Sequence, residues 1–202
     1  SRKIKFSGFY KILFYLPAIC TSTIVGTVFS KIFETNRGYL NVILRALHLD
    51  FLCQQWLATP KTALACLLFV NIWQWTGYSM LMYYTNMLNI PQDLYESATI
   101  DGAGSFKQFI YITFPLLRGT HITLIILDIL GALKFFDLSY VLTDGGPAHA
   151  TETFSTYIYT KSFSTFQQGQ ASTIVVFMFL IAMVLTVIQL KIYYKKDRKE
   201  MN

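Results

Sequence analysis

Glu96-Ser97-Ala98-Thr99-Ile100-Asp101-Gly102, followed nine residues later by Ile112-Thr113-Phe114-Pro115, is a polar, glycine-broken stretch between two strongly apolar segments. Its chemistry is that of contact rather than of bond making. Pro91-Gln92-Asp93 can open a helix, because Pro fits a first turn and an acid complements the N-terminal dipole. Leu94, Tyr95 and Ala98 then give that helix one side to bury. Gly102 and Gly104 permit a sharp reversal, Ser105 can cap a second short helix through Tyr111, and Pro115 introduces the next apolar segment. The expected product is a compact helix-turn-helix knob, able to pass the rigid-body movement of a soluble partner into the segments on either side.

The remaining residues with chemical potential are fewer. Asp128, Lys134 and Asp137 lie inside one apolar segment, where each charge costs ~2.5–3.5 kcal/mol on insertion scales and should face protein or water. Lys134 and Asp137, three apart and near one end, can pair locally and reach toward water. Asp128 is deeper and has no evident local partner; with Ala132 and Phe135 it falls at i, i+4 and i+7, one helical stripe. His48, His121 and His149 are scattered without ligand spacing. Cys20, Cys53 and Cys66 are odd in number and indicate neither a disulfide framework nor a metal site. The sequence contains no nucleophile-base-acid constellation, and Gly102-Ala103-Gly104 is too short to cradle a nucleotide.

The elements that must position these residues are apolar helices. Of 202 residues 53% are hydrophobic and only 14% charged, against about 25% charged in an ordinary soluble domain. Four segments, about 9–33, 63–88, 116–142 and 171–194, are each long enough to cross a hydrocarbon core of ~30 Å. The polar loop 89–115 separates the second from the third. The excess of base over acid could suggest nucleic acid, but it clusters at the ends of apolar segments, which indicates anionic lipid and topology. One side receives Arg2, Lys3, Lys5, Lys11, Lys107, Arg118 and the run from Lys191 to Lys199. The other receives Lys31, Arg37, Arg45, Lys61 and Lys161. The richer side is cytoplasmic, so both termini and the Glu96 loop are expected inside. Asp144-Gly145-Gly146-Pro147 on the outer side is a helix-stop and turn signal. Beyond it Tyr159, Phe163 and Phe166 are expected on one helical face at the membrane interface.

The spacing from Glu96 to Pro115 resembles the cytoplasmic "EAA" loop of ABC-importer permeases, with Ser97 and Phe114 as conservative departures. The chain resembles carbohydrate permeases of this family over nearly its whole length. The likeness extends to Phe14-Tyr15-Leu16-Pro17, Gly38-Tyr39-Leu40-Asn41, Trp73 to Gly77, Phe136-Asp137 and Thr143-Asp144-Gly145-Gly146-Pro147, with Thr151 and Thr153 following.

The resemblance implies an all-α integral membrane protein, the type I importer transmembrane domain, with four of an expected six spans present. It implies a transport subunit rather than an enzyme. Expected partners are a second homologous permease, a cytoplasmic ATPase dimer carrying ATP-Mg, an extracellular solute-binding protein and the lipid of a bacterial inner membrane; neither nucleic acid nor a cofactor on this chain is expected. Glu96, Ser97, Ala98, Asp101, Gly102, Ile112 and Pro115 take the ATPase-coupling role. Asp128, Ala132 and Phe135 match sugar-contacting positions of the larger permease of maltose importers, and Ser22 and the Trp75–Gly77 region match other parts of that site. The solute is expected to be a sugar or oligosaccharide, with a polar solute such as glycerol-3-phosphate as the alternative. A proton-coupled carrier using Asp128 is a further alternative, but it would have no use for the Glu96 loop.

Overall fold

The computed structural model describes the backbone of residues 7–200 and the side chains of residues 8–191. Arg2, Lys3 and Lys5, and the side chains of Lys195, Lys196, Arg198 and Lys199, on which the orientation partly rests, lie outside the described residues. Among the described residues every regular element is helical. The chain forms two compact units, one comprising residues up to Gly77 with Gly131–Ile181, the other Tyr78–Leu130 with the chain from Ala182 onward.

The first unit opens with α1 (Ser7–Ile19) and α2 (Ser22–Ile32), which meet at 94°. The expected span 9–33 is therefore a broken pair. Pro17 cannot donate to the preceding turn, so α1 stops at Ile19. Thr21 restarts the chain as an N-cap, its side chain accepting from the Ile24 amide at 3.4 Å. After α3 (Tyr39–Ala46) and a short turn, α4 (Pro60–Met87) runs for 28 residues, about 42 Å at 1.5 Å per residue. It is long enough to span, but Asn71, Gln74 and Thr76 keep its composition short of a plainly apolar span.

Later in the chain α8 (Arg118–Leu133) and α9 (Asp137–Thr143) stand where the continuous span 116–142 was expected. The helix stops at Leu133, and Phe136 takes φ −130°, ψ −65° before Asp137 supplies an acid to the first turn of α9. α10 (Phe154–Tyr159) continues through a π turn, Thr160–Ser164. Tyr159 and Phe163 remain in ring contact at 5.2 Å, but Phe166 lies beyond the helix at φ 54° and leaves the expected face. α11 (Gln168–Glu200) is unbroken, and its Gln168–Lys191 portion is the one helix among the described residues long and apolar enough by itself to cross a membrane. That number rises to three if each bent pair counts as one span.

The core of the first unit joins Val25 and Phe33 of the α2 region, Cys66, Leu67 and Val70 of α4, and Leu138 and Leu142 of α9. Phe29 adds edge contact with Trp73 at 5.2 Å. Between α3 and α4 the buried Asn41 ties the loop: its amide donates to the Thr35 and Gln54 carbonyls at 2.9 and 3.0 Å, and its carbonyl accepts from Trp56 Nε1 at 2.8 Å.

Candidate functional site

The second unit carries the knob. α5 (Gln92–Ile100) begins after Pro91 and ends at Asp101. Gly102 follows at φ +77°, and two bonds close the end, Gly102 N–H to the Thr99 carbonyl at 3.0 Å and Ala103 N–H to the Ala98 carbonyl at 2.8 Å. This is the Schellman arrangement, and it needs the left-handed conformation that glycine adopts without penalty. Gly104 is then the N-cap of a helix built from α6 (Ser105–Gln108), a π turn (Phe109–Thr113) and α7 (Phe114–Leu116).

The second helix of the knob is longer than expected. It passes Tyr111 and takes in Ile112 and Pro115, so Pro115 sits in its last turn and does not open the next span. The π turn widens the coil one turn ahead of Pro115, whose ring would otherwise crowd the Tyr111 carbonyl. The direction changes afterwards, by 62° between Ser105–Leu116 and Arg118–Leu133.

One side chain holds the reversal. Gln108 Nε2 donates to the Ala103 carbonyl at 3.0 Å and to Thr99 Oγ1 at 2.9 Å, while Thr99 donates to the Tyr95 carbonyl at 2.7 Å. Tyr95 OH and Thr113 Oγ1 join the two helices at 2.8 Å. Sequence reasoning had named Tyr95 for burial but gave no part to Gln108 or Thr113; a glutamine in register with a turn it can staple is an ordinary residue until the turn is known. Ala98 and Ile112 are half-buried, whereas Glu96, Ser97, Asp101, Gly102 and Pro115 are exposed. So are three large apolar side chains, Ile100 at 87%, Phe106 at 78% and Tyr111 at 77%. The reversal is held by its own side chains, and the knob presents both charged and large apolar groups outward.

The residues matched to a solute site are divided. In the first unit Ser22 opens α2, where its Oγ accepts from Gln74 Nε2 at 3.3 Å; Gln74 is buried and also donates to the Cys20 carbonyl at 3.1 Å. Trp75 is exposed. Gly77 is buried against α1, and a Cβ there would overlap the Phe14 carbonyl. Its place is a close contact between α1 and α4. Asp128 and Ala132 are exposed on α8, four residues apart, but Phe135 lies past the end of that helix. The expected i, i+4, i+7 stripe therefore stops at Ala132. Phe135 packs against the core of the first unit, and its carbonyl accepts from Thr153 Oγ1 at 2.6 Å. Lys134 and Asp137 fall on opposite sides of the same break. The local pair between Lys134 and Asp137 is not formed.

The segment from Thr143 to Thr156 is a clasp of hydroxyls. Ser139 Oγ donates to the Thr151 carbonyl at 2.6 Å, Thr151 Oγ1 donates to the Gly146 carbonyl at 2.7 Å, and Thr143 and Thr151 hydroxyls meet at 2.6 Å. Asp144 (φ 52°) and Gly145 (φ 77°) make the turn, and Thr153 with Thr156 forms a reciprocal cap for α10. Thr151, Thr156 and Ser139 are buried. Each small hydroxyl residue satisfies backbone groups that the reversal leaves open.

Broken apolar helices and a stapled polar knob, with every regular element helical among the described residues, are the features of a membrane protein. Residues 5–198 match the model of the binding-protein-dependent transport system inner membrane component, and the chain belongs to that family. The members are membrane permease components of ABC importers, not catalytic subunits. The chain is 35% identical over 196 residues to the probable ABC transporter permease protein YurN of Bacillus subtilis, covering 97% of this chain and 67% of YurN. To the lactose transport system permease protein LacF of Rhizobium radiobacter it is 31% identical, covering 98% of this chain and 66% of LacF. Its fold superposes with a TM-score of 0.82 on the bacterial alginate ABC transporter in complex with an alginate pentasaccharide-bound periplasmic protein, at 23% identity, covering 93% of this chain and 66% of that one. The chain thus spans about two thirds of the length of these relatives, and its fold is that of the type I importer membrane domain.

Proposed function

We propose that this chain forms part of the membrane pathway for a sugar or oligosaccharide, delivered by an extracellular binding protein and driven by a cytoplasmic ATPase dimer that holds ATP-Mg. In this reading it pairs with a second homologous permease in a bacterial inner membrane, with both termini and the knob in the cytoplasm. The knob carries the proposal: Tyr95, Thr99, Gln108 and Thr113 hold its reversal, while Ile100, Phe106 and Tyr111 are left exposed for another protein to cover. A soluble nucleotide-binding subunit that rotates against this surface would drag both knob helices as one piece. The sugar class is supported by the lactose relative and by the fold shared with an alginate importer. Cysteines placed at Ser97 or Ala103 should cross-link to the ATPase in inside-out vesicles. Reaction of both positions only with reagents added outside would overturn the orientation and the docking together.

A further inference from the structure

The bend at Leu117 is bridged by a histidine that the docking surface does not use. His121, on the first turns of α8, reaches back over the bend so that its Nε2 lies 3.1 Å from the Phe114 carbonyl. A carbonyl only accepts, so Nε2 carries the proton and Nδ1 is the acceptor. Tyr83 OH, from the last third of α4, donates to Nδ1 at 2.8 Å. The imidazole also packs on both partners' rings, with centroids 4.6 Å from Phe114 and 5.2 Å from Tyr83. Phe114 follows Thr113, which Tyr95 ties to α5. The path Tyr95–Thr113–Phe114–His121–Tyr83 therefore runs unbroken from the knob to α4, crossing the bend on the way.

Resting on the docking reading above, we infer that His121 is a positioning residue that makes the bend rigid, so that movement of the knob is delivered to α4 and α8 together. The backbone crosses the bend through Leu117 N–H to the Thr113 carbonyl at 3.1 Å and His121 N–H to the Leu117 carbonyl at 3.0 Å; the side-chain bridge adds a restraint against tilt, without which the knob could follow the ATPase further than the apolar helices do. Each of the two hydrogen bonds has a single geometry in one tautomer, so a tilt of the knob against α8 must stretch one of them. The ring contacts alone would tolerate sliding.

The test uses the complete transporter, with the full-length chain, its partner permease, the ATPases and the binding protein in proteoliposomes, and reads solute moved per ATP hydrolysed. His121→Phe keeps an aromatic ring and loses both bonds; solute per ATP should fall about ten-fold, the order set by one or two hydrogen bonds, while the ATPase still co-purifies. Tyr83→Phe, losing one bond, should show a smaller fall of about three-fold. His121→Gln, whose amide nitrogen can donate to the Phe114 carbonyl, should recover most of the ratio. An unchanged ratio in His121→Phe overturns the inference and leaves docking intact. Loss of assembly in both Phe variants, or no recovery with Gln, assigns the pair to folding and overturns it as well. An unaltered chain that binds no ATPase would sink the docking reading and this inference with it.

Discussion

Gly102 has nothing within 4 Å of the position a Cβ would take, so the demand on it is wholly one of backbone conformation. Side chains in the left-handed region cost about 1–2 kcal/mol, with asparagine the mildest. Gly102→Val should leave the complex inserted but separate ATP hydrolysis from transport, and Gly102→Asn should retain most coupling. Equal damage from both, in uptake and ATPase assays on the same vesicles, would show that bulk and not conformation matters. Asp128 poses a different question. A carboxylate on an apolar helix needs water, a partner or a substrate hydroxyl, and charge-assisted bonds to sugar hydroxyls are worth roughly 1.5–3 kcal/mol each. Asp128→Ala should lower uptake about ten-fold or more without loss of assembly. Normal uptake by a stable complex would make Asp128 a carboxylate satisfied by the partner permease.

At the scale of elements, continuous apolarity proved a good guide to which residues leave water and a poor guide to straightness. The fourth segment, expected at about 171–194, falls inside α11, Gln168–Glu200, because nothing interrupts that helix. The first and third were read as single spans because hydropathy averages over a break of two or three residues. Local signals were present: Pro17 with Thr21 marks the first bend, and Asp137 marks the start of α9. Lys134 and Asp137 looked paired only on the premise of one helix between them, and Phe135 looked aligned with Asp128 for the same reason. The knob was legible because turn chemistry is local, whereas the packing of Gly77 was not, because its need for space comes from a helix more than fifty residues earlier. Gly77→Ala should drive α1 from α4 and destabilise the chain by about 1–3 kcal/mol, seen as a lower midpoint in thermal unfolding of the detergent-solubilised complex. Retention of the wild-type midpoint would contradict that contact.

For the whole molecule, the disposition of apolar surface is decisive. The described residues leave large side chains exposed along α1, α4, α8 and α11, and lipid can cover these only where no polar pathway is to be enclosed. The proposed function places this exposed apolar surface against a second permease as well as lipid. Expressed alone it should be unstable or inactive, and co-expression with a second, non-identical permease should restore yield and uptake. Transport by the chain alone, with no ATPase present, would exclude an ATP-driven importer.

The hydroxyl clasp between Ser139 and Thr156 has a kinetic consequence. Bonds from Ser139, Thr143 and Thr151 hold the loop in one conformation, so a protein that met it would not have to order it first, and association there would avoid the entropy that a floppy loop loses on capture. Recognition at such a surface approaches the encounter of two rigid bodies, and variation in affinity among partners should then fall mainly on how long they stay rather than on how fast they arrive.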